Sequence, residues 1–82
     1  MSDTKSLSDD NKANCNFVVE SMGGAPVCTG HERFVELDID ELELHDLALD
    51  IESEFNIRIT EHEVNSLDTV QQLYDLVAAK LD

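Results

Sequence analysis

The side chains in this sequence that could do chemistry are carboxylates, histidines, cysteines and hydroxyls, and the carboxylates dominate. Glu43, Asp46, Asp50 and Glu54 recur at three- and four-residue spacing, which lines them along one side of an α-helix. No Lys or Arg falls between Arg33 and Arg58 to neutralise them. Such a face suits cationic groups and basic proteins. It does not suit acid–base catalysis, because there is no Ser/His/Asp order, Gly-rich phosphate loop or metal cluster to organise it. The chain is not expected to be an enzyme.

Cys28 and His31 have a Cys-x-x-His spacing, but one such pair is not a zinc site. Cys15, His45 and His62 are scattered over other stretches, and a tetrahedral site needs convergent pairs. No metal is expected.

The carboxylates belong to a stretch from Phe34 to Ile59. Leu44, Leu47, Ala48, Ile51 and Phe55 fall at i, i+3, i+4, i+7 and i+11, the stripe of a core-facing helix. Leu42, His45 and Leu49 form a third set, offset from that stripe and framed by carboxylates. They read either as a small docking surface or as peripheral core. The helix begins near Asp38 or Asp40, either of which can cap it, and ends near Phe55-Asn56.

Around it the chain supplies further elements. Met1 to Ser8 reads as a disordered tail, and 9–82 as one domain. A helix runs from a Ser8 or Asp9 cap to Gly23-Gly24, with Ala13, Phe17, Val18 and Met22 facing inward. Gly24 to Arg33 is a loop by its Gly and Pro content. Ile57-Arg58-Ile59 is an extended connector. Thr60 and Glu63 have capping-box spacing and start a short helix through Val64. Asp68 and Gln71 offer a second cap, after which Val70, Leu73, Tyr74, Val77, Ala78 and Leu81 form a regular stripe. The fold class is all-α: three main helices plus one short helix.

Eighty-two residues with 41% hydrophobic content can build one small core. A net charge of −14 repels nucleic acid and anionic membranes and favours partners with Lys/Arg patches. The polar N-terminus has no apolar targeting region, no run is long enough to span a bilayer, and two cysteines without a signal peptide suit a reducing compartment. The expectation is a cytoplasmic monomer that binds neither membranes nor nucleic acid directly.

Several segments, taken in order, resemble an acyl carrier protein. They are Phe34-Val35-Glu36-Leu37, the acidic helix, Glu52-Ser53-Glu54-Phe55-Asn56-Ile57-Arg58-Ile59, and Leu67-Asp68-Thr69-Val70-Gln71-Gln72-Leu73. The resemblance covers roughly Phe34 to Leu81 and implies a small four-helix bundle whose acidic second helix faces partners. Members of that family carry 4′-phosphopantetheine on a serine in an Asp-Ser-Leu triplet at the start of that helix. The matching triplet here is Asp40-Glu41-Leu42, so the serine position is Glu41. A carboxylate attacking the coenzyme A pyrophosphate would give a labile acyl phosphate in place of a stable phosphodiester. Ser66, in Asn65-Ser66-Leu67-Asp68, resembles a carrier motif locally, with one further helix after it.

The leading expectation is therefore an acyl carrier protein-like interaction protein with no phosphopantetheine. It would dock on a basic partner, such as an acyl-carrier-dependent enzyme, through Asp40, Glu41, Leu42, Glu43, His45, Asp46, Leu49 and Asp50. The alternatives are a functional carrier loaded at Ser66, or an acidic nucleic-acid mimic that blocks a nucleic-acid-binding protein.

Overall fold

The computed structural model describes residues 7–23, 26–27 and 29–81. Met1 to Ser6 of the expected tail, and Cys28 of the Cys-x-x-His pair, lie outside the described residues. Among the described residues four helices follow one another: α1 (Asp9–Gly23), α2 (Glu41–Phe55), α3 (Glu61–Asn65) and α4 (Val70–Leu81). A 3₁₀ turn, Phe34–Leu37, precedes α2. There is no strand among the described residues, only a single antiparallel bridge between Arg33 and Thr69. The architecture is a small all-α bundle of three main helices and one short one.

Local chemistry sets the helix boundaries. At the start of α1, Ser8 Oγ accepts from the Asn11 N–H at 3.2 Å, satisfying one of the donors left open at a helix start. Asp40 caps α2 in a reciprocal box. Its carboxylate accepts from the Glu43 N–H at 2.9 Å, and Glu43 accepts from the Asp40 N–H at 3.3 Å. Asn56 closes α2 in the left-handed region at φ 55°, its N–H reaching back to the Glu52 carbonyl. Asp38, the other candidate cap, instead ends the 3₁₀ turn at φ 64°. Thr60 and Glu63 form the box that starts α3.

At α4 the cap lies one residue later than the Asp68/Gln71 pair read from sequence. Thr69 Oγ1 accepts from the Gln72 N–H at 3.2 Å. Gln72 Oε1 accepts from the N–H groups of Asp68, at 2.6 Å, and Thr69, at 3.0 Å. Asp68 is held elsewhere: both its carboxylate oxygens accept from Arg33 Nε, at 3.1 and 3.2 Å.

The core is one cluster. Leu47, Ile51, Leu73, Val19, Val70, Val77 and Cys15 are fully buried at its centre. Phe34, Leu37 and Ile39 enter it from the segment before α2, Ile59 from the extended connector, and Val64 from α3. The buried side of α2 is Leu44, Leu47, Ala48 and Ile51, and that of α4 is Val70, Leu73, Tyr74, Val77 and Ala78. Phe55 at the end of α2 is only half-buried, and Leu81 at the end of α4 is exposed, because terminal turns overhang the bundle.

The inward face of α1 differs from the expected one. Phe17 is 73% exposed and Ala13 is exposed, whereas Cys15, Val18 and Val19 are buried and Met22 packs at their edge. These residues stand at i, i+3, i+4 and i+7, so the true stripe is a regular one with Cys15 acting as a small apolar residue. Burial, and next the nearby charge of Glu54, push the Cys15 thiol up to about 12. Leu7 is also buried, in the segment expected to be tail.

The helix order fixes the start of the acidic stretch from two sides. Gly23 lets the end of α1 approach the 3₁₀ turn, since a Cβ there would collide with the Leu37 carbonyl oxygen. From the other side the Phe34 N–H donates to the Asp68 carbonyl at 2.8 Å, and the Val70 N–H to the Glu32 carbonyl at 3.1 Å. The lead into α2 is thus clamped between the end of α1 and the start of α4, which fixes where Asp40 and Glu41 stand.

Candidate partner-binding site

With Leu44, Leu47, Ala48 and Ile51 turned into the core, the rest of α2 must face outward. Leu42 is 78% exposed and Leu49 62%, so these leucines are surface, not peripheral core. They lie two turns apart with half-buried His45 between them. His45 Nε2 is 3.2 Å from Asn65 Oδ1, which ties this face to the end of α3. Asp46 and Asp50 are exposed beside them.

Two concavities flank His45. The larger is an open hollow lined by Glu41, Leu42, His45, Asp46 and Glu61. The smaller, of about 220 Å³, lies between α2, the connector and α3, where Leu49 and Ile59 meet Glu52 and Glu61. The exposed leucines are therefore relief on a grooved surface.

Glu41 is the first residue of α2, and it is exposed. Its neighbours in sequence carry the capping box, but the Glu41 side chain makes no hydrogen bond or ion pair among the described residues. A carboxylate there is favoured by the helix dipole and the open N–H groups of the first turn. A third groove, of about 310 Å³, begins at Glu41 and runs between the 3₁₀ turn and the α3–α4 connection. Ser66 caps the end of α3, where its hydroxyl donates to the His62 carbonyl at 3.0 Å.

Asp40, Glu41 and Glu43 suit the positive start of α2, but Glu52 and Glu54 lie in its last turn, which holds no basic residue. There the dipole disfavours negative charge. Glu52 has a structural use, accepting from the Ile59 N–H at 2.5 Å to fold the connector back. Three cations among the described residues are engaged elsewhere: Arg33 pairs with Asp68, Lys80 with Glu63 at 3.0 Å, and Lys12 lies 5.6 Å from the Tyr74 ring centre. The α2 surface thus keeps its negative charge, with no ion pair to it among the described residues.

Sequence reasoning missed three partners of this site. Asn65 on His45, Glu52 on Ile59 and Asp68 on Arg33 are all joined across the fold, so nothing in local spacing announces them.

No family model matches the chain. Curated relatives do. The chain is 29% identical over 70 residues to acyl carrier protein 1, chloroplastic, of Spinacia oleracea, covering 83% of this chain and 51% of that protein. It is 40% identical over 47 residues to the acyl carrier protein of Petrotoga mobilis, covering 57% of this chain and 55% of the relative. A third relative, the acyl carrier protein of Buchnera aphidicola, is 38% identical over 42 residues, 51% of this chain and 54% of the relative. The chain spans about half the length of these curated relatives. Among solved structures, the crystal structure of an acyl carrier protein from Thermotoga maritima matches with a TM-score of 0.76 at 25% identity. That match covers 89% of this chain and 93% of the other.

Sequence and fold thus agree in relating this chain to the acyl carrier proteins, a class of carriers rather than of enzymes. No helix among the described residues is long and apolar enough to cross a membrane.

Proposed function

We propose that this chain is an acyl carrier-like interaction protein that carries no prosthetic arm and docks through α2 on a basic surface of its partner. One observation supports the reading above the rest: Glu41 stands at the first position of α2, where the resemblance places the attachment serine, while the grooved acidic face around it is intact. Acyl-carrier-dependent enzymes are the natural partners, with Leu42, His45 and Leu49 as contact and Asp40, Glu41, Glu43, Asp46 and Asp50 as charge. Long-range attraction between this face and a basic patch speeds encounter and fixes orientation. The cytoplasm is the compartment this reading assumes.

The loss of the serine removes the chemistry without removing the surface. Glu41 keeps a negative charge on the helix turn where a modified carrier holds a phosphodiester, so a partner can dock without an acyl group being delivered. Ser66 is an unfavourable alternative site. It ends a five-residue helix instead of opening a long one, and its hydroxyl is already bonded to the His62 carbonyl.

Intact mass spectrometry after incubation with a phosphopantetheinyl transferase and coenzyme A tests the absence of the arm. Wild type should stay at its polypeptide mass, and Glu41→Ser should gain one phosphopantetheinyl group. A gain in wild type that disappears in Ser66→Ala would overturn the reading in favour of a carrier with a displaced site.

A further inference from the structure

The groove that begins at Glu41 has a chemistry of its own. It lies between the 3₁₀ turn, the first turn of α2 and the α3–α4 connection, with a volume of about 310 Å³. Val35, Leu44 and Leu67 supply apolar wall, and Val35 is 62% exposed along it. Asp40, Glu41 and Asp68 stand among its lining residues, which include no Lys or Arg. Two of these carboxylates are occupied: Asp40 accepts from the Glu43 N–H and Asp68 from Arg33. Glu41 alone among the three is without a partner in the described structure.

This combination selects its occupant. A fatty carboxylate would place its head among three negative groups. A plain alkyl chain would use the wall and leave the charge unanswered. An alkyl stem ending in a delocalised cation uses both, with methylenes against Val35 and Leu67 and the head on Glu41. A guanidinium fits better than an ammonium because its planar fork gives a carboxylate two parallel N–H donors. The groove already holds a guanidinium beside one of its lining carboxylates, where the single Arg33 Nε–H is shared between the two Asp68 oxygens at 3.1 and 3.2 Å.

We infer that the groove beside Glu41 receives an arginine side chain of the docking partner, stem on Val35 and Leu67 and guanidinium on Glu41. The inference rests on the docking proposed above and adds to it the residue type that the partner must present at the start of α2. Bound there, the arginine registers the partner along the helix, since it fixes one point of the partner at the first turn of α2.

The test is an NMR titration of the full ¹⁵N-labelled chain with n-butylguanidinium, which reproduces the arginine side chain from Cα outward, and separately with butyrate. Saturable shifts of the Val35, Glu41 and Leu67 amides with the guanidinium and none with butyrate are expected. Affinity should fall about tenfold in Glu41→Gln, the loss of a charge-assisted hydrogen bond. Equal shifts with butyrate, no saturable shifts, or an unchanged affinity in Glu41→Gln would overturn the inference. Failure of the docking reading looks different. It appears as enzyme binding unaffected by Leu42→Asp with Leu49→Asp, two residues outside the groove. A silent groove beside enzyme binding that this double variant abolishes would overturn the arginine assignment and leave the docking standing.

Discussion

Helices α2 and α4 bury similar stripes and differ on their outer faces. The polar side chains of α4 are engaged within the molecule. Gln72 caps the helix, Gln71 donates to Asp75 at 3.0 Å, and Lys80 reaches Glu63 on α3. Tyr74 donates its hydroxyl to Asn16 on α1. On α2 the outer face shows two exposed leucines and carboxylates with no cationic partner among the described residues. Both helices hold the bundle together from within, but only α2 keeps an outer surface that its own fold does not use. That difference is the physical ground for assigning partner contact to α2.

Six substitutions test the comparison, from the largest effect to the smallest. Leu47→Ala on α2 and Leu73→Ala on α4 should each cost about 2–5 kcal/mol in urea unfolding, because both side chains are fully buried. A loss near zero at either position would put the stripe in the wrong place. On the outer surface the two helices should part. Thr69→Ala, which removes the α4 cap, should cost about 1 kcal/mol by the same measurement.

Next in size is a pH effect at α3. The Thr60 backbone N–H, and then Lys80, hold the Glu63 carboxyl below its ordinary value of 4.5. A lowered folded value stabilises the fold above the unfolded value and is lost as pH falls through the folded one. Wild type should therefore lose stability below about pH 4.5, and Glu63→Gln should lose less over the same range. Equal acid sensitivity would mean that neither the Thr60 N–H nor Lys80 favours the charged Glu63 carboxylate.

Smallest of all, Leu42→Ala and Leu49→Ala should change unfolding stability by no more than about 0.5 kcal/mol, the range for surface sites. A larger cost would return these leucines to the core and remove the contrast with α4.

The same contrast explains what was legible in the sequence. The α2 stripe, its Asp40 cap, the short α3 and the α4 stripe all follow from spacing within one helix, and each is where the pattern places it except at the stripes' last residues, half-buried Phe55 and exposed Leu81. The acidic face needed only the absence of Lys and Arg between Arg33 and Arg58. On α1 the expected Val18 and Met22 do face inward, but Cys15 and Val19 complete the stripe in place of Ala13 and Phe17. Phe17 is large and exposed, while Cys15 is small, apolar in practice and fully buried. The shift of the α4 cap from Asp68 to Thr69 has a tertiary cause, the pairing of Asp68 with Arg33. The groove beside Glu41 was invisible for a similar reason. Val35, Leu44 and the pair Asn65 and Leu67 come from three separate segments, and no short window of sequence contains their meeting.

The central claim is that the outer face of α2 recognises a partner without a prosthetic arm. The most direct measurement is the affinity of the purified chain for an acyl-carrier-dependent enzyme, for wild type and for Leu42→Asp with Leu49→Asp. Melting temperature should be followed in parallel. The account predicts salt-sensitive binding by wild type and a loss of at least about tenfold in the double variant at little cost in melting temperature. Equal affinity in the two proteins, or none in wild type, would contradict it.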